Sequence, residues 1–196
     1  MTKGRLEAFS DGVIAVIITI MVLELKPPLN ENLSALLPLL PVFLGYVLSF
    51  LHVGIYWNNH HHLFQAVERI NGRILWANLH LLFWLSLVPF VTSWMGESRF
   101  SLWPVVVYGS VLLMSAMAYY LMTLSILAIH GPSTQVARAI ANDRKEKISL
   151  AIYVGAIAAA FCHPYVACAA YGFVAILWLI PDRRIESVLA DEPPRE

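Results

Sequence analysis

Residues 5–26, RLEAFSDGVIAVIITIMVLELK, form a segment of bilayer length that is charged at both ends. As an α-helix it would run roughly 30 Å, the thickness of a hydrocarbon core. Arg5, Glu7, Ser10 and Asp11 nevertheless crowd its first half and Glu24 its end, so that only residues 12–23 are free of charge. Lipid cannot solvate such groups, which must face other helices or a water-filled path. A spanning helix built this way is a functional element before it is an anchor.

The rest of the chain belongs to the same class. Of its 196 residues 59% are hydrophobic and 13% charged, against about 25% charged in a soluble domain. The composition predicts an all-α integral membrane protein of one domain, residues 1–182, with a loose cytoplasmic tail over 183–196 where Pro193 and Pro194 sit among charges. A net charge of zero gives no footprint for nucleic acid. The N-terminus lacks a cleavable signal pattern, so the first apolar segment is expected to stay in the mature protein.

Apolar runs cover residues 9–25, 36–56, 74–95, 102–129, 148–162 and 165–180, which is six transmembrane helices. His163-Pro164 divides the last two as a tight hairpin, since a proline inside one long helix would break it. Lys and Arg test the count. Lys3, Arg5, Arg69, Arg73, Arg138, Arg144, Lys145, Lys147, Arg183, Arg184 and Arg195 fall on one side of a six-span layout, and only Lys26 and Arg99 on the other. The positive-inside rule then puts both termini in the cytoplasm of a multi-pass cell-membrane protein. Tyr56, Trp57, Trp76 and Trp178 would mark the inner boundary, and Trp94, Phe100 and Trp103 the outer one. Residues 131–147 read as a solvated cytoplasmic loop, and Gly155, Ala156, Ala158, Ala159 and Ala160 as small residues for close helix contact. Cys162 and Cys168 read as small buried hydrophobes rather than a disulfide.

At 100° per residue the first helix has two faces. With Val16 at zero, Phe9, Gly12, Ile20, Leu23 and Arg5 fall within roughly 40°, Thr19 at about 60°, and Glu7, Ser10 and Asp11 more than about 100° away. Periodicity alone leaves the Val16 stripe open to lipid or core contact.

The string Arg5-Leu-Glu-Ala-Phe9-Ser10-Asp11-Gly12, opening the first span, resembles the Arg-x-x-x-Phe-Ser-Asp signature of the transmembrane protein 175 family, the endolysosomal and bacterial potassium channels. Tyr-Trp-Asn-Asn-His-His-His-Leu-Phe at residues 56–64 and Asn-Leu-His-Leu-Leu-Phe-Trp-Leu-Ser-Leu-Val-Pro-Phe at 78–90 are similar to that family too, in the same order. The resemblance covers essentially the whole chain. It implies a potassium-preferring cation channel, not an enzyme, without the Thr-Val-Gly-Tyr-Gly filter of ordinary potassium channels, and no such string occurs. Animal members carry two six-span repeats and bacterial members one; with a single Phe-Ser-Asp here, the precedent implies a homotetramer with the first helix of each subunit lining a central pore. The family's constriction, five residues after the motif aspartate, maps to Val16, with further aliphatic positions at Ile20 and Leu23 and a threonine layer at Thr19. No cofactor or metal is implied beyond permeant potassium and other monovalent cations.

Four aliphatic side chains at one level make a neck that dewets, and four hydroxyls can replace part of a potassium ion's hydration shell. Glu24 would add carboxylates near the outer mouth. Ser10 and Asp11 point away from the Val16 stripe and are expected to brace the helix, together with Arg5 and Phe9, through polar groups such as His52, Asn78 or His80. A proton-permeable leak channel and a secondary cation transporter are alternatives, although neither internal repeats nor a broken helix is evident in the sequence. The main rival is a haem-binding membrane redox protein, with His52 and His80 at similar depth as ligands and His60, His61 and His62 as further donors.

Overall fold

The computed structural model describes residues 2–28, 31–130 and 143–179, apart from the side chains of residues 66 and 143. The described chain is all helical. α1 spans Lys3–Leu23, and a 3-10 segment over Leu33–Leu39 leads into α2, Leu40–Ala66, with Pro41 in its first turn. α3 is Gly72–Ser86, α4 Val88–Glu97, α5 Leu102–His130, α6 Asp143–Ala160 and α7 Pro164–Leu179. Four units, Lys3–Leu23, Leu33–Gln65, Gly72–Glu97 and Leu102–His130, are long and apolar enough to cross a bilayer. α6 and α7 complete six spans as a shorter hairpin.

Local chemistry sets the boundaries. The Asn71 side chain caps α3 by accepting the Ile74 N–H at 3.0 Å. Pro164, which has no N–H to lose, starts α7 after the turn at residues 161–163, as the His-Pro pair predicts. Between α4 and α5, Arg99 and Phe100 turn the chain at φ 52° and 59°, held by the Phe100 N–H to the Met95 carbonyl at 2.9 Å.

Three expectations need correction. The second span does not end at Tyr56: α2 continues for ten more residues to Ala66, so the Trp57–His62 stretch is helical. The third is interrupted at Leu87, because Pro89 has no N–H for the Leu85 carbonyl, and α3 and α4 are two pieces of one span. Cys162 is exposed in the α6–α7 turn and Cys168 only part-buried; both are free thiols. Of the small residues on α6, Ala156 and Ala160 are buried, while a Cβ at Gly155 would meet nothing. The 131–142 part of the expected loop and the tail beyond residue 179 lie outside the described residues.

α1 packs against α2, α3 and α4, and α5 joins that group to the α6–α7 hairpin. Lipid tails are as apolar as leucine, so this bundle coheres through packing and internal hydrogen bonds rather than hydrophobic transfer. Two close approaches show it. A Cβ at Gly96 would stand 2.7 Å from the Val42 Cα, fixing α4 against the start of α2, and one at Gly109 would overlap the fully buried Tyr171 hydroxyl. Tyr108 on α5, Ser49 on α2 and Thr92 on α4 form a buried hydroxyl chain, 3.0 Å and 2.6 Å long in its two steps. Thr92 in turn donates to the Val88 carbonyl at 2.6 Å.

Candidate functional site

α1 is held along one side only. Leu6, Ser10, Ile14, Ile17 and Met21 are buried, and their spacing of three or four residues gathers them on one arc of the helix. At the motif end the contact is polar. The His60 Nε2–H on α2 donates to Asn78 Oδ1 at 2.8 Å, Asn78 Nδ2 on α3 donates to Ser10 Oγ at 3.0 Å, and the Ser10 hydroxyl donates to the Leu6 carbonyl at 2.9 Å. An amide oxygen only accepts, so the direction of the chain sets the His60 proton on Nε2. His60, Asn78 and Ser10 are all buried, and each donor in the chain has an acceptor, which is what a polar contact at membrane depth requires.

Asp11 lies at the edge of this contact. Its Oδ1 accepts the Trp57 indole N–H at 3.0 Å, and Trp57 stacks on His61 with ring centroids 6.0 Å apart. Below them Lys3 Nζ donates to the Gln65 carbonyl at 3.0 Å. The bracing partners named from the sequence are therefore partly reassigned. Asn78, one of the three named, does bind Ser10, but His52 and His80 do not reach the motif. His52 Nδ1 donates back to the Leu48 carbonyl at 2.9 Å; exposed His80 accepts the Trp84 indole N–H at 2.9 Å. The reasons are geometric. His52 lies eight residues, roughly 12 Å, from His60 along α2, and His80 lies two residues from Asn78, which turns it to the far side of α3. The two histidines proposed for haem thus sit in separate surroundings. Arg5 is exposed and its side chain makes no hydrogen bond among the described residues; Phe9 is also exposed.

The opposite face of α1 is largely uncovered by the rest of the described chain. Val16 is 54% exposed, Ile20 43% and Leu23 75%, with Gly12 and Thr19 exposed between them. Thr19 Oγ1 donates to the Val16 carbonyl at 2.9 Å, which leaves its lone pairs turned outward as acceptors. Apolar exposure alone does not distinguish this face, because Leu33, Trp76, Phe90 and Trp103 are exposed too, as lipid contact demands. What sets it apart is the combination of an aliphatic stripe, a hydroxyl and a glycine on a helix whose other side is pinned by a polar lock. Glu24 departs from that stripe: its Oε2 accepts from the Ser93 hydroxyl on α4 at 3.0 Å, beside an exposed Lys26–Glu97 pair at 3.5 Å.

Comparison with known proteins agrees in one direction. The family model described as endosomal/lysosomal potassium channel TMEM175 matches residues 5–89. A potassium channel of Chryseobacterium sp. (strain P1-3) is 56% identical over 191 residues, covering 97% of this chain and 100% of that protein. The endosomal/lysosomal proton channel TMEM175 of Homo sapiens is 37% identical over 81 residues, 35% of this chain and 16% of that one. The crystal structure of a lysosomal potassium-selective channel TMEM175 homolog from Chamaesiphon minutus superposes with a TM-score of 0.78 at 28% identity, over 93% of this chain and 97% of that one.

Proposed function

We propose that this chain, which belongs to the TMEM175 family, is one subunit of a potassium-preferring cation channel in the cell membrane, with four copies arranged about an ion path lined by the uncovered face of α1. The named relatives are channels, not enzymes. The observation that carries the reading is the division of α1 into a pinned arc and a free stripe of Val16, Ile20 and Leu23.

In this reading four Val16 side chains form a neck too apolar to keep water, and a small radial change switches it between dry and conducting. Thr19 lies one turn beyond. With its proton spent on the Val16 carbonyl, the hydroxyl presents oxygen lone pairs, which suit a cation that has shed part of its water; potassium sheds water more readily than sodium, so preference arises without a carbonyl filter. Glu24, tied to Ser93, acts through its field near the outer end rather than as a ring of ligands. The Ser10–Asn78–His60 lock holds the helix at the radius the neck needs. Both termini are cytoplasmic, and no cofactor takes part.

The test is cation flux from proteoliposomes under a potassium gradient. Val16→Asn hydrates the neck and raises basal flux, whereas Val22→Asn, at a position that is also exposed but about 120° around α1, leaves it at the wild-type level. Equal effects of the two substitutions, or flux at the liposome background for the wild type, contradict the assignment. A pH-sensitive dye in the same vesicles reads protons, which the name of the human relative makes the second candidate ion.

A further inference from the structure

The turn from α2 to α3 is held from three sides. Val67 is buried at its start, His130 Nε2 at the end of α5 accepts the backbone N–H groups of Glu68 and Arg69 at 3.3 Å and 3.2 Å, and the Asn71 side chain caps α3 at its end. A backbone fixed in this way presents its remaining side chains from a rigid base. Arg69 and Arg73 are exposed, and neither guanidinium makes a hydrogen bond or ion pair among the described residues. Glu68 is the one carboxylate of residues 67–73, so the segment is net positive. Lys3 brings a further cation to the same corner, its Nζ donating to the Gln65 carbonyl at 3.0 Å.

Beyond these charges the surface of α3 turns apolar. Trp76, one turn past Arg73, is 74% exposed, and Leu79 and Phe83 continue the same uncovered face. The Trp76 indole N–H has no acceptor among the described residues. Arg73 to Phe83 is about 15 Å of helix rise, enough to pass from the headgroup level into the acyl chains. A phospholipid offers the matching sequence of chemistry along its length: phosphate, ester oxygens, then hydrocarbon. Guanidiniums fork onto phosphate oxygens, an interfacial indole places its N–H in the wet layer and its ring in the dry one, and leucine and phenylalanine lie against the tails. Charge selects among headgroups. A choline or ethanolamine headgroup carries its own cation, which two arginines repel, whereas a headgroup of net negative charge is attracted. We propose that the α2–α3 corner binds an anionic phospholipid of the leaflet on the N-terminal side, cytoplasmic in the reading above, with Arg69 and Arg73 on its phosphate and Trp76 at its ester level. The site is separate from the α1 stripe, but α3 joins the two, since it carries Asn78 at the motif contact.

The test uses the full chain in bilayers of phosphatidylcholine and phosphatidylglycerol, one or the other carrying bromine on its acyl chains to quench nearby tryptophan. The Trp76 signal is the difference made by Trp76→Phe in each background. Phosphatidylglycerol is preferred over phosphatidylcholine at Trp76 by at least about fivefold, the discrimination that one uncompensated basic residue gives at a membrane surface. That preference disappears when Arg69→Gln and Arg73→Gln are combined, survives when Arg69→Lys and Arg73→Lys are combined, and is unchanged in Arg99→Gln, which removes an exposed guanidinium beyond the far end of α4. Unchanged elution shows that the variants fold. Equal quenching by the two lipids makes this face an ordinary acyl-chain contact, and quenching by neither places it against another protein surface; either result overturns the proposal, as does a preference that outlives the paired glutamine changes. Potassium flux measured in the same bilayers keeps a failure here distinct from a failure of the channel reading.

Discussion

Replacing Asn78 with leucine tests the lock that holds α1. Leucine is close to asparagine in length and fits an apolar site, so the main loss is polar: the His60 Nε2–H loses its acceptor at 2.8 Å and Ser10 Oγ loses the donor at 3.0 Å. The two losses are unequal. Ser10 still donates to the Leu6 carbonyl and gives up only a contact to a lone pair, whereas His60 is left with a buried, unanswered N–H. A stranded buried group costs about 1–3 kcal/mol in soluble proteins. Hydrogen bonds between membrane helices measure lower, about 0.6 kcal/mol on average and at most about 1.7, because a chain unfolded within the membrane finds other partners. The sum expected for Asn78→Leu is therefore about 1–3 kcal/mol, most of it from His60. Unfolding in detergent micelles, followed by tryptophan fluorescence for the wild type, Asn78→Leu, Ser10→Ala and the double variant, measures both the loss and the coupling. Stability within about 0.5 kcal/mol of wild type, with no coupling between positions 10 and 78, would refute the lock.

Gly96→Ala places a Cβ 2.7 Å from the Val42 backbone, so α4 must move off α2; the expected cost is about 1–3 kcal/mol, read in the same unfolding assay. His130→Ala removes the acceptor that Nε2 offers to the Glu68 and Arg69 amides at 3.3 Å and 3.2 Å, so those two amides should exchange hydrogen faster while exchange in the core of α5 stays unchanged. Thr19→Val should lower potassium-over-sodium preference, read as a shift in bi-ionic reversal potential, with expression unaltered; an unchanged preference removes Thr19 from the selectivity account.

The two-faced character of α1 was legible because 100° per residue is all it takes to separate Val16 from Ser10, and the buried arc through Leu6, Ile14, Ile17 and Met21 falls where that arithmetic leaves room for it. Of the partners of the motif Asn78 was legible, whereas Trp57 and His60 were not, for a reason that lies in α2. Hydropathy ends the second span where Tyr56-Trp57-Asn58-Asn59-His60 turns polar, yet the backbone stays helical to Ala66. α1 meets this polar end, so Trp57 and His60 bind the motif while His52, chosen for its depth, lies too far along the helix. The signal that could have found them is their identity: two residues able to donate, three positions apart, share a face. The break in the third span was hidden differently. Residues 74–95 read as one predominantly apolar run, and hydropathy does not register that Pro89 withholds one hydrogen bond. Cys162 was misjudged because a cysteine's usual burial says little at a hairpin tip.

The central claim is that the free face of α1 meets its own copies around an ion path. It is tested most directly by Val16→Cys in a background carrying Cys162→Ser and Cys168→Ser. Mild oxidation in proteoliposomes should join subunits into covalent dimers through Val16→Cys, and a positively charged thiol reagent should block potassium flux, with Val22→Cys doing neither. Val16→Cys that forms no intersubunit crosslink, and whose flux the reagent leaves untouched, would put this face against lipid and contradict the account.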